Sequence, residues 1–208
     1  MQELTRAQQE YFKDSKMRNA NGDLQVFYHG TTHDFDSFTR NRRDGNMVEL
    51  EAGFFFTQYK READSYGINK GGQTLEVYLD IKNPLTLETK DDYALMNKYM
   101  AECFPGVNWQ QEHICTTKFQ NHLQKQGYDG LVTEGMIIVF QPNQIKSINN
   151  LYPTRDENFR DNSREYLSEH LKDMSMDECM KLTKHIKEQE KNQKESENKR
   201  DTRDKNER

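Results

Sequence analysis

Val26-Phe27-Tyr28-His29-Gly30-Thr31-Thr32 is an apolar, β-prone run that stops abruptly at a histidine, a glycine and two hydroxyl residues. Such a run predicts a buried strand that delivers an imidazole and bare backbone to the mouth of a pocket. Glycine at that point lets a ligand approach the main chain. Taken alone, His29 reads more simply as a core histidine satisfied at a strand end, and three later segments shift that balance.

Working outward, residues 5–16 predict a helix: Thr5 and Gln8 fit a capping box, and Ala7, Tyr11 and Phe12 fall on one side. Asn19-Ala20-Asn21-Gly22-Asp23 is a turn, and the first strand spans Leu24 to Tyr28. Phe35 and Phe38 pin a loop or short helical turn, followed by a polar loop that carries Arg42 and Arg43 and runs to Glu51. Gly53-Phe54-Phe55-Phe56-Thr57 is a short apolar strand, and residues 60–66 read as a brief helix stopped by Gly67. Leu75, Val77, Leu79 and Ile81 alternate with polar partners in a half-buried strand that Asn83-Pro84 ends. Tyr93, Met96, Met100 and Cys103 follow helical spacing up to Pro105-Gly106, and a second helix at 116–126 aligns Phe119 with Leu123. Strands at 131–133, 136–140 and 144–148 complete an α+β order rather than regular βαβ winding.

Of the 208 residues, 33% are apolar and 31% charged, so the core must be compact and much of the polarity must lie elsewhere. The net charge of −5 argues against a general nucleic-acid or anionic-membrane surface, leaving a local basic patch open. Cys103, Cys115 and Cys179 form no framework and read as reduced thiols of a reducing, cytoplasmic compartment. No run approaches a bilayer span, the opening Met1-Gln2-Glu3-Leu4-Thr5-Arg6 is no signal segment, and the scattered histidines suggest no metal site. The expectation is a soluble protein that does not engage a membrane. After Pro153 the composition shifts: Asn162 with Glu165 and Ser175 with Glu178 predict two short helices, and from Lys187 no apolar residue remains. The expected organisation is a domain over 1–153, a helical appendage over 154–186 and a charged, disordered tail over 187–208.

Several blocks together resemble a known pattern: His29-Gly30-Thr31-Thr32, Gly53-Phe54-Phe55-Phe56-Thr57, Ala63-Asp64-Ser65-Tyr66, and Met136 to Phe140 with Gln141-Pro142-Asn143-Gln144-Ile145-Lys146-Ser147. This resembles the ADP-ribosyltransferase superfamily of the diphtheria-toxin and poly(ADP-ribose)-polymerase type. Within it, the chain is most similar to the small domains of phage polyvalent proteins and bacterial polymorphic toxins. Thr5-Arg6-Ala7-Gln8, Asn21-Gly22-Asp23, Ile81-Lys82-Asn83-Pro84 and Gly127-Tyr128-Asp129-Gly130 extend the likeness over residues 4–150 and not into the tail. Five blocks in order are far more specific than a lone His-Gly-Thr. The resemblance implies two packed, mainly antiparallel sheets, a split β-sandwich, with flanking helices.

It also implies NAD as substrate, no metal, and roles for particular residues. The backbone of Gly30 would bind the nicotinamide amide, His29 a ribose hydroxyl, and Thr31 would add a ribose contact. Phe55 and Tyr66 occupy the two nicotinamide-facing positions; a phenyl ring still stacks through its face. Cleaving the nicotinamide–ribose bond develops positive charge on the ribose, which the family's polymerases meet with a glutamate. That position is Met136 here, and a thioether can neither accept a strong hydrogen bond nor carry charge. Glu134 is the candidate substitute, if a bulge at Gly135 brings it forward; alternatively it is an exposed loop carboxylate.

The resulting expectation is a mono-ADP-ribosyltransferase that moves ADP-ribose from NAD to a macromolecular acceptor, a protein before other classes, with release of nicotinamide. Catalysis would draw on His29, Tyr66, Glu134 and Met136. The rival is an inactive NAD-binding or structural module of the same fold, and a third reading is an NAD glycohydrolase. The resemblance points to a toxin or effector, or a phage protein delivered into a host cell, whose C-terminal helices are candidates for binding a partner.

Overall fold

The computed structural model describes residues 3–39, 53–107 and 116–206. The chain splits into two compact units, Met1–Asp161 and Asn162–Arg208. In the first unit the elements run α1 (Arg6–Tyr11), β1 (Phe27–Thr31), β2 (Phe54–Phe56), α2 (Lys60–Tyr66), β3 (Gln73–Leu79), β4 (Pro84–Thr86), α3 (Lys90–Cys103), α4 (Thr117–Lys125), β5 (Gly130–Val132), β6 (Ile137–Val139) and β7 (Ile145–Ser147). They build two sheets, β1-β3-β7 and β2-β6-β5-β4, antiparallel except between β4 and β5. This is the expected α+β sandwich with flanking helices.

Period-two alternation sorts the side chains between layers. Phe27, Leu75, Val77, Leu79 and Ile145 of the first sheet meet Phe54, Phe56, Ile137 and Val139 of the second in one buried cluster. On the far face of the second sheet, Leu85, Leu131 and Ile138 pack with Met96, Met100, Phe119 and Leu123 of α3 and α4. On the far face of the first, Tyr78 packs with Phe12 beside α1. The capping box at Thr5 and Gln8 forms, and the buried Gln8 amide also donates to Ile148 O and Asn150 O.

Several boundaries differ from the expectation: α1 stops at Tyr11 rather than at residue 16, and β1 begins at Phe27 rather than Leu24. β1 continues through His29-Gly30 to Thr31, because β3 reaches Gln73 opposite it. Pro84 starts a strand as well as ending one: without an N–H it is tolerated as the first residue of an edge strand, and β4 is an edge. The first unit ends after Asp161 rather than Pro153. Lys146 of β7 is fully buried and donates from Nζ to the carbonyls of Asp156 and Asn158, Phe159 enters the core between the sheets, and Arg160 pairs with Asp34 and Asp36.

In the second unit, α5 (Ser163–His170) is followed by α6 (Met176–Asn206). Ser175 and Glu178 form the capping box at the start of α6, and Arg164 pairs with Glu190. α6 continues unbroken past Lys187, through the stretch whose composition reads as disordered. That stretch is rich in Glu, Lys, Gln and Arg, which lose little side-chain freedom in a helix. No helix among the described residues is long and apolar enough to cross a membrane.

Candidate active site

Among the described residues the two sheets meet at one bridge. Tyr28 N donates to Thr57 O at 2.9 Å, and Thr57 N donates to Tyr28 O at 3.1 Å. Successive amides of an extended strand point to opposite edges, so Phe27, His29 and Thr31 turn theirs to β3 while Tyr28 and Gly30 turn theirs away from it. Past Thr57 the chain departs into α2, and no described strand pairs with that edge at Gly30. The edge therefore presents a main-chain donor and acceptor. Glycine is required here by packing as well: a Cβ at Gly30 would lie 1.9 Å from Ala63 O of α2.

A cavity of about 450 Å³ opens around this edge. Of the residues singled out in the sequence, His29, Gly30, Phe55, Tyr66 and Met136 line it together. His29 Nδ1 lies 2.8 Å from Phe55 O. A carbonyl only accepts, so Nδ1 donates to it, and in the neutral ring Nε2 is then the acceptor. Phe38 and Phe56 hold the imidazole by ring contacts with centroids 5.2 Å and 5.4 Å away. Phe55 is half-buried on β2, its neighbours Phe54 and Phe56 turned into the core. Tyr66 ends α2 and is 65% exposed, with Lys70 Nζ 5.2 Å from its ring centroid, so it forms an outer wall. Such an arrangement suits a flat aromatic carboxamide: one ring to stack on, a second ring at the rim, and an unpaired backbone edge to match the amide.

Two expected residues lie elsewhere. Thr31 is buried, and its hydroxyl is turned to its own turn, accepting from His33 N at 3.1 Å. Glu134 occupies the tip of the β5–β6 turn. Thr133 N donates to Met136 O at 2.9 Å and Met136 N to Thr133 Oγ1 at 3.1 Å, which leaves Glu134 and Gly135 as a tight two-residue loop. The bulge that would carry Glu134 forward is replaced by that turn. Glu134 is exposed and lines a neighbouring groove, whereas Gly135 and Met136 line the cavity.

Tyr28, Phe56, Thr57, Glu62 and Ala63 line the cavity as well, without a role assigned to any of them from the sequence. Glu62 had a usable signal, because it stands four residues before Tyr66 on a helix and therefore shares its face. The polar loop around Arg42 and Arg43, and Cys115, lie outside the described residues. Among the described residues no group of three or more His, Cys, Asp or Glu gathers as metal ligands.

A family model described as ADP-ribosyltransferase in polyvalent proteins matches residues 19–155, a span holding β1 to β7 and every lining residue named above. The chain matches no curated protein and no solved structure.

Proposed function

The chain belongs to the family of ADP-ribosyltransferases in polyvalent proteins, and on that premise we propose that it is an NAD-dependent mono-ADP-ribosyltransferase. The observation that carries this reading is the unpaired backbone edge of Gly30 beside His29, inside a cavity walled by Phe55 and Tyr66. In this reading the nicotinamide amide bonds the Gly30 main chain while the pyridinium ring stacks on Phe55. Tyr66 closes over its other face, and His29 Nε2 accepts a ribose hydroxyl. NAD reacts with an acceptor X–H to give ADP-ribosyl-X, nicotinamide and a proton. The electron pair of the broken bond leaves with nicotinamide, and the acceptor's lone pair makes the new bond to the ribose carbon. The acceptor is a macromolecule, and we favour a protein.

One observation favours a second reading. Met136 lines the cavity where the family's polymerases place a glutamate, which suits an NAD-binding module without turnover.

Nicotinamide release by the purified chain, with and without cell lysate, tests the proposal. Release that needs lysate, with an acceptor whose mass rises by one ADP-ribose, supports transfer. Release alone with no modified macromolecule replaces transfer by hydrolysis, and binding without release supports the second reading. His29→Ala is expected to lower release about a hundredfold, as for loss of one preorganised hydrogen bond at the reacting group. Full activity of that variant would refute the placement of NAD.

A further inference from the structure

Among the described residues that line the cavity, Glu62 carries the one formal charge, and its side chain is fixed. Thr57 Oγ1 donates to Glu62 Oε2 at 2.7 Å while accepting from Tyr59 N at 3.1 Å. Thr57 is in turn locked by its two backbone bonds to Tyr28 at the seam between the sheets. The carboxylate is thus anchored to the same bridge that frees the Gly30 edge. Two other charged groups of α2 are engaged elsewhere, Asp64 Oδ1 accepting from Thr74 at 2.7 Å and Lys60 Nζ pairing with Glu76, while Arg61 is exposed and does not line the cavity. Glu62 and Tyr66, four residues apart, face the cavity together.

We infer that Glu62 is the carboxylate that stabilises the ribosyl cation, in place of the glutamate absent at position 136. The inference rests on the reading of the cavity as the NAD site. As the bond from the ribose carbon to the nicotinamide nitrogen lengthens, its electron pair passes to the pyridinium nitrogen and positive charge grows on the ribose. Glu62 meets that charge through its free oxygen and takes no part in the covalent change; the acceptor's proton leaves to water. A fixed anion beside a developing cation is stronger in the transition state than in the ground state, so it lowers the barrier without tightening binding. Thr57 is a positioning residue that aims it.

The test uses the full chain, with NAD as the probe. Glu62→Gln is nearly isosteric and sits on the exposed surface of α2, so the fold tolerates it. Nicotinamide release is expected to fall at least a hundredfold or so, with the calorimetric Kd for NAD changed less than about threefold. Thr57→Val is expected to lower kcat about tenfold at unchanged KM, and Thr57→Ser to restore it. If Glu62→Gln keeps wild-type release while His29→Ala loses it, the inference falls and the NAD site stands. If Glu134→Gln loses release while Glu62→Gln does not, the charge comes from the turn instead and the inference is overturned. Binding without release by the wild-type chain also overturns it, sparing only the pocket, and a wild-type chain that neither binds nor cleaves NAD removes both readings.

Discussion

The cavity at His29 and the groove at Glu134 lie on two sides of one short partition. Phe56, which lines the cavity, pairs in register with Ile137, which lines the groove. Gln58 closes the partition by donating to Glu134 O at 3.3 Å. The groove is the larger, about 560 Å³, and mixes charges of both signs, with Lys16 and Arg18 facing it along with Glu88 and Glu134. The cavity is about 450 Å³, mostly aromatic and aliphatic, with one carboxylate. Size and charge count favour the groove, which Tyr93 and the edge strand β4 also line; the cavity differs in setting the Gly30 edge beside His29, Phe55 and Tyr66. Shape and an open main-chain edge, not volume or charge count, mark the candidate site here.

The partition is the strongest place to break the comparison. Phe56→Ala removes a fully packed ring between the sheets and is expected to cost about 3–5 kcal/mol of stability, read as a lower denaturant midpoint. Phe55→Ala sharpens the contrast at smaller cost. Loss of stacking is expected to raise KM for NAD about three- to tenfold, and Phe55→Tyr to leave it near wild type. An unchanged KM in the alanine variant would mean that nicotinamide does not lie on that ring.

On the groove side the expected effect is smallest and depends on pH. Asp92 caps α3, accepting from Thr89 N, Thr89 Oγ1 and Glu88 N, bonds that hold its carboxyl below the ordinary value of 3.8. A depressed acid contributes stability that is fully present above its unfolded value and is lost as pH falls through its folded value. Acid unfolding below pH 3.8 should therefore be shallower in Asp92→Asn than in the wild-type chain. Parallel titration curves for the two would show that the cap contributes nothing measurable.

Local signals carried most of the fold. Thr5 and Thr116 cap helices where the sequence starts them, and the alternation of Leu75, Val77 and Leu79 marks β3 as half-buried. What stayed hidden depends on distant partners. The extension of β1 through Gly30 follows from β3, not from residues 29–31, and the burial of Lys146 follows from carbonyls ten and twelve residues on. At the site, the His-Gly pair stood out at the end of an apolar run, whereas Phe55 and Tyr66 were picked out by the resemblance to the family and not by local residue pattern. Glu62 was not, since in Lys60-Arg61-Glu62 it looks like a solvated helix face until Thr57 is seen to hold it. Glu134 misled because distance along the chain from Met136 says nothing about which side of a two-residue turn its side chain takes.

Hydrogen exchange of the full chain, with and without NAD, puts the two regions directly against each other, since a ligand slows exchange where it stabilises local structure. Slower exchange confined to residues 28–30, 55–57 and 62–67 is the predicted result. Protection centred on residues 84–93 and 132–134 would place NAD in the groove and contradict the account.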